Sequence, residues 1–158
     1  MARFPVDPLT EIDLTNEWST LNSTELRGIP GFAHGGERLP RIRGRWLDPT
    51  GRIGLFPAQV ADRMRGVWFE NWRDFREMFW RIVARTPELA EGWSMSNLER
   101  MRKGYAPFAG KLAIGGGANA KYHLNHIEEI SAGGGLYDLD NIEVTSPGFN
   151  QDVRPRYR

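Results

Sequence analysis

Cysteine is absent from the 158-residue sequence, which excludes a disulfide framework and a thiolate metal site; any bound metal must be held by oxygen or imidazole. Histidine is scarce too, with three copies at His34, His123 and His126. No apolar run reaches the roughly 18–20 residues that cross a bilayer. The opening Met1-Ala2-Arg3-Phe4-Pro5 has no apolar signal region behind its charge, so neither a membrane span nor an export signal is expected. Strong net charge is also missing: 21 Lys and Arg stand against 20 Asp and Glu. Any affinity for nucleic acid must then come from local clustering. Arg38, Arg41, Arg43 and Arg45 fall within eight residues, Arg63 and Arg65 follow, and Arg100, Arg102 and Lys103 sit together. Acidic residues, Glu128, Glu129, Asp138 and Asp140, crowd the later chain. Solvated faces on an ordinary surface are the competing account of these clusters.

The length suits one folding unit. Residues 1–40 are rich in Pro, Gly, Ser, Thr and Asn and hold no sustained apolar period, so they read as an irregular lead-in, with Trp18, Leu21 and Leu26 as candidate docking residues. The domain proper is expected over 41–158. Ala58 to Arg65 suits a short helix behind Pro57. The clearest helix runs from about Trp72 to Arg85, with Trp72, Phe75, Phe79, Ile82 and Val83 on one face, Asn71 as N-cap and Thr86-Pro87 as its end. A shorter helix is expected after Ser96, with Glu99 completing a capping box and Gly104 as its stop. Gly115-Gly116-Gly117 lacks the Gly-Lys-Ser/Thr of a phosphate loop and reads as a turn. Beyond it, Tyr122 to Ile130 and Ile142 to Thr145 read as strands joined by a glycine-rich loop, and Pro147 can open a final helix with Asn150 and Arg154. The fold class is therefore α+β, a mainly helical body with a C-terminal ββα arrangement.

Tyr122-His123-Leu124-Asn125-His126-Ile127, then Gly133 through Ile142, then Val144-Thr145-Ser146-Pro147, resembles the HNH (ββα-metal) motif of colicin- and S-type pyocin DNases. Upstream segments match that family in the same order: Arg45-Trp46-Leu47-Asp48, Gln59 through Arg65, Phe69 through Arg76, Phe79-Trp80, Pro87-Glu88-Leu89 and Lys103 through Ala109. Similar domains end the polymorphic toxins delivered by contact-dependent and type VI (Rhs) systems. The resemblance implies an antibacterial toxin domain acting as a low-specificity, divalent-metal-dependent DNA endonuclease, with His126 as general base. From spacing alone, a structural histidine satisfied by hydrogen bonds is the competing reading of His126.

The metal ligands depart from the family. Where colicin-type members carry three imidazoles, this sequence has Asn125, Asn150 and Arg154, and His34 lies far upstream. The family's acidic residue two before the first ligand is His123 here, and its arginine shortly upstream corresponds to Asn119, with Lys121 nearby. A three-histidine transition-metal site cannot be built in the matching places. Two accounts compete. In one, the site has shifted to Mg²⁺ or Mn²⁺, with Asn125 and Asn150 as oxygen ligands, His123 assisting and Arg154 meeting the phosphate. In the other, the fold persists as a degenerate HNH toxin that binds nucleic acid or a protein partner without hydrolysing DNA.

Arg41, Arg43, Arg45, Arg73, Arg76, Arg154 and Lys121 are candidate phosphate contacts for DNA. Glu128 and Glu129 read as a solvated edge, because adjacent strand residues point to opposite faces. The aromatic stripe through Trp68, Trp72, Phe75, Phe79 and Trp80 reads as packing. The family's immunity-protein site matches about Trp93 to Gly117, where Trp93, Met95, Tyr105 and Phe108 offer an interface-like surface. The resemblance further implies a cognate immunity protein, a delivery protein N-terminal to this domain, and a secreted effector acting in the target bacterial cytoplasm.

Overall fold

A computed structural model of the chain describes residues 23–47, 53–109 and 120–147. In chain order the elements are α1 (Ser23–Leu26), β1 (Gly31–Phe32), β2 (Ile53–Leu55), α2 (Ala58–Met64), β3 (Trp68–Phe69), α3 (Trp72–Arg85), α4 (Pro87–Ala90), α5 (Met95–Arg102), β4 (His123–His126), two 3₁₀ turns (Ile130–Ala132 and Leu139–Asn141) and β5 (Ile142–Thr145). Trp18, Leu21, the turn at Gly115–Gly117, Asn119, and the closing helix with Asn150 and Arg154 lie outside the described residues.

The core is built around α3. Its residues Trp72, Phe75, Phe79, Trp80, Ile82 and Val83 are buried, as an apolar stripe of 3.6-residue period requires. Asn71 caps it as expected, its Oδ1 accepting the Asp74 N–H at 2.9 Å. The helix ends where Thr86 precedes Pro87, because the proline ring disfavours helical backbone in the residue before it; the Thr86 hydroxyl donates to the Ile82 carbonyl at 2.7 Å. Phe56 packs on Phe79 at 5.0 Å and Phe69 on Phe75 at 5.0 Å, while Val60, Ala61 and Met64 of α2 and Met101 of α5 close the remaining sides. Fully burying an aromatic or aliphatic side chain stabilises by about 1.5–3 kcal/mol. This shared interior therefore fixes the helices that support the C-terminal hairpin.

Three local expectations are corrected. The helix expected after Ser96 begins earlier, at Met95, with Ser94 as N-cap accepting the Asn97 N–H at 3.1 Å. Asn97 is pinned there by a reciprocal pair to Phe108, Oδ1 accepting its N–H at 2.9 Å and Nδ2 donating to its carbonyl at 3.1 Å. Gly104 does end the helix, at φ +92. The first hairpin strand spans only His123–His126 rather than reaching Ile130. Beyond His126 the Asn141 side chain takes the backbone groups of Glu128 and turns the chain into a 3₁₀ turn. Gly134 follows closely enough that a Cβ there would strike the Glu128 carbonyl. Trp68 departs from the buried stripe, lying half-exposed on β3 with its ring edge-on to Phe32 at 4.8 Å.

The hairpin gains a third strand that sequence does not announce. The sheet order is β2-β5-β4, antiparallel throughout, with Leu55 opposite Glu143 and Asn125 opposite Glu143 on the other side. Residues 23–40 also join the body. Leu26 and Ala33 are buried, β1 pairs antiparallel with β3, and His34 bridges to the Asp138 loop through His34 N–H to Tyr137 carbonyl (3.1 Å) and Leu139 N–H to His34 carbonyl (2.8 Å). The Tyr137 hydroxyl donates to the Ile29 carbonyl at 2.7 Å. Burial, then Asp74 and Glu70, push that phenol up to about 12, so it remains a donor.

Candidate active site

Strand alternation sorts the hairpin into two faces. Leu124 and Val144, a cross-strand pair, enter the core. His123, Asn125, Glu143 and Thr145 share the opposite face, paired His123 to Thr145 and Asn125 to Glu143. His126 ends the strand on the core side and packs against Trp72, with ring centroids 4.4 Å apart.

The His126 ring is 4% exposed, and its Nε2 lies 3.0 Å from the Leu136 carbonyl. A carbonyl can only accept, so Nε2 carries the proton and Nδ1 presents a lone pair. Burial, and less strongly the charge of Arg27, hold this imidazole below its ordinary range, although the Leu136 hydrogen bond opposes them. Near pH 7 the ring is therefore neutral with an accepting Nδ1, the state a general base requires. Asn141 builds the loop that holds it: Oδ1 accepts the Glu128 N–H at 2.8 Å, and Nδ2 donates to the carbonyls of Glu128 (3.0 Å) and Gly135 (3.2 Å).

Cations gather beside this hairpin. His123 is held below its ordinary value by desolvation, then by Arg76 and Lys121. Arg76, on the exposed side of α3, is lowered by desolvation, then by Arg27, with Glu77 opposing and Arg73 adding to the effect. Arg76 thus senses Arg27 and Arg73, and His123 senses Arg76 and Lys121; a row of like charges of this kind suits a polyanion. Arg27 enters through the Trp72 N–H, which donates to its carbonyl at 2.9 Å. It lies in the segment read as lead-in, and its isolation from the other arginines hid it.

Arg45 stands elsewhere. It lines a cavity of about 430 Å³ with Trp46, Trp93, Asn97, Phe108 and Tyr122. Arg41 pairs with Glu88 at 3.3 Å. On that side Met95 is 75% and Tyr105 54% exposed, while Trp93 is partly buried against Tyr122 with its Nε1 donating to the Leu89 carbonyl. Phe108 lies under the Arg100 guanidinium at 4.0 Å. Asn150 and Arg154 lie outside the described residues.

Two further residues escaped the sequence reading. Asn141 was legible as part of the motif but not as its clamp. Glu143 looked like an ordinary strand residue, yet it is 5% exposed, and its Oε2 accepts from Asn125 Nδ2 at 3.3 Å.

Among the described residues, no three His, Asp or Glu side chains are grouped to hold a metal ion. What the hairpin offers is oxygen. Asn125 and Glu143 stand together, and on the same face the buried Thr145 hydroxyl has no hydrogen-bond partner among the described residues. Such donors fit a hard divalent cation that keeps several waters, and they do not fit a three-imidazole site.

Residues 31–155 match the family model described as "Colicin/Pyocin-S2, DNase domain". The chain is 38% identical to Pyocin-S2 of Pseudomonas aeruginosa over 123 residues, covering 77% of this chain and 17% of that protein. It is 35% identical to Colicin-E8 of Escherichia coli over 127 residues, covering 78% of this chain and 60% of that protein. The chain thus spans under a fifth of the pyocin. Among solved structures, the pyocin AP41 DNase–immunity complex matches with a TM-score of 0.69 at 31% identity, covering 82% of this chain and 95% of that one. The mutant nuclease domain of pyocin S8 with its cognate immunity protein matches at 0.70 and 39%, covering 79% and 99%. With the family model matching most of its length and the ββ hairpin in place, the chain belongs to the colicin/pyocin DNase-domain family.

Proposed function

We propose that this domain is the toxic end of an antibacterial bacteriocin-type effector: a low-specificity DNA endonuclease that uses Mg²⁺ or Mn²⁺. The observation that carries the reading is the His126 tautomer, fixed by the Leu136 carbonyl so that Nδ1 accepts a proton. Arg76, Arg27 and Lys121 hold the phosphodiester backbone, a mode of contact that gives affinity without sequence preference. His126 Nδ1 takes the proton of the attacking water. When bound, the cation stabilises charge on the scissile phosphate and the leaving 3′ oxygen. Asn125, with Asn150 as its expected partner, supplies neutral oxygens to that cation, and Arg154 is the expected second phosphate contact.

The pyocin AP41 and S8 domains are described in complex with immunity proteins. By that likeness, Met95 and Tyr105, flanked by Trp93 and Phe108, form the surface that a cognate immunity protein covers here. Delivery into the cytoplasm of a target cell by an N-terminal partner protein belongs to the same proposal.

Plasmid nicking across Mg²⁺, Mn²⁺, Ni²⁺, Zn²⁺ and EDTA tests it, with His126→Ala as the control. The expected result is cleavage in Mg²⁺ or Mn²⁺ that falls about 10²–10⁴-fold in the variant. No cleavage in any metal, alongside salt-sensitive DNA binding, establishes instead a domain that keeps the fold and binds without hydrolysis.

A further inference from the structure

The proposed cation site has an electrostatic difficulty. Its described ligand, Asn125, is a neutral amide, and His123 on the same face senses the positive charge of Arg76 and Lys121, which repels a divalent ion. We infer that Glu143 is the anionic member of this site: it turns the Asn125 carbonyl oxygen toward the ion and supplies the negative charge that the neutral ligands lack. This rests on the metal-dependent reading above.

Register places the two residues, both buried, directly opposite each other on the face away from Leu124 and Val144. Asn125 Nδ2 donates to Glu143 Oε2 at 3.3 Å and to the His126 carbonyl at 3.3 Å. An ionised carboxylate and a carbonyl can only accept, so both neighbours demand the nitrogen, and the amide orientation is set by the network. Oδ1 is thereby turned to the other side of the amide. A carboxylate that holds a ligand in this way also raises metal affinity, and removing such a partner typically costs about 10–100-fold. Glu143 is 5% exposed, so its charge is weakly screened by solvent at the distance of an adjacent side chain. The Thr145 hydroxyl on the same face, buried and unpartnered among the described residues, can accept or donate to the ion's water shell.

The test is Mn²⁺ binding to the full chain without DNA, followed by the electron paramagnetic resonance of the free ion and by calorimetry. Glu143→Gln is nearly the same shape and removes only the charge. It is expected to bind Mn²⁺ about 10–100-fold more weakly than the parent, with thermal melting measured alongside. Glu143→Asp is expected to recover part of the loss. Asn125→Asp combined with Glu143→Gln moves the negative charge one strand across, and it is expected to restore binding even if Glu143→Gln alone is destabilised; a merely structural Glu143 would not give that recovery. Equal Mn²⁺ affinity in parent and Glu143→Gln overturns the inference, as does a parent that binds no Mn²⁺ at millimolar concentration. Plasmid cleavage by the parent, run in parallel, reports separately on the nuclease reading. A cleaving parent whose Mn²⁺ affinity ignores Glu143 removes this inference and leaves that reading standing.

Discussion

The Asn141 side chain holds both backbone groups of Glu128, 13 residues away, accepting its N–H at 2.8 Å and donating to its carbonyl at 3.0 Å. That pair closes the loop from which the Leu136 carbonyl reaches His126. Asn141→Ala strips three partly buried hydrogen bonds, each worth about 0.5–1.5 kcal/mol, a loss of about 2–4 kcal/mol. Urea denaturation is the check. An unchanged midpoint would show that the loop holds without its clamp.

Because burial and Arg27, against the Leu136 hydrogen bond, lower the His126 pKa, the accepting form is reached at a lower pH than in a free imidazole. The rate of plasmid cleavage is expected to rise with pH along an acid limb centred below 6.5 and to be level on that side by pH 7. Stability follows the same sign. The unfolded chain binds protons on His123 and His126 more readily than the native one does, so this contribution is present above about pH 6.5 and lost as pH falls from there through the lowered native values. Denaturation midpoints between pH 5 and 7.5 test it; a midpoint that rises on acidification contradicts it.

Arg76 and Arg45 are expected to behave differently. Arg76→Ala removes a charge from the hairpin cluster and should weaken DNA binding by about 1.5–3 kcal/mol, lowering the salt slope by about one. Arg45→Ala changes a cavity shared with Trp93 and Phe108 and should leave DNA affinity within a few-fold. Fluorescence anisotropy at several salt concentrations separates them. Equal losses would place Arg45 on the DNA path.

Met95→Ala and Tyr105→Ala remove exposed apolar surface without touching the core. Each is expected to weaken capture by the cognate immunity protein by more than about 1 kcal/mol while plasmid nicking is unchanged. Trp93→Ala also loses its contacts to Leu89 and Tyr122 and should lower the melting temperature as well. Surface plasmon resonance with the immunity protein is the measurement, and full binding by the Met95 and Tyr105 variants would move the interface elsewhere.

The long helix was readable because its aromatic spacing and its Asn71 cap are local properties, and the hairpin because its residues follow a known order. β2 was not, since three residues interrupted by Gly54 carry no strand signal until β5 stands beside them. Nor could periodicity show that residues 23–40 dock, because their attachment uses backbone bonds to Val67, Tyr137 and Leu139 rather than an apolar stripe. His126 was legible as a candidate base, but its tautomer needed the Leu136 carbonyl in space. Glu143 and Arg27 depend on cross-strand register and on a long-range approach, neither of which leaves a mark in a linear pattern.

The strap from Gly31 to Gly36 has a mechanical consequence. His34 is stitched to the segment at Tyr137 and Leu139, and the Gly36 N–H donates to Asp140 at 3.0 Å. A pull on the N-terminal side meets first the Arg27 carbonyl bonded to the Trp72 N–H at the start of α3, and then these bonds to the Leu136 loop. The N-terminal strap therefore transmits tension to both supports of the His126 ring, the Trp72 indole and the Leu136 carbonyl.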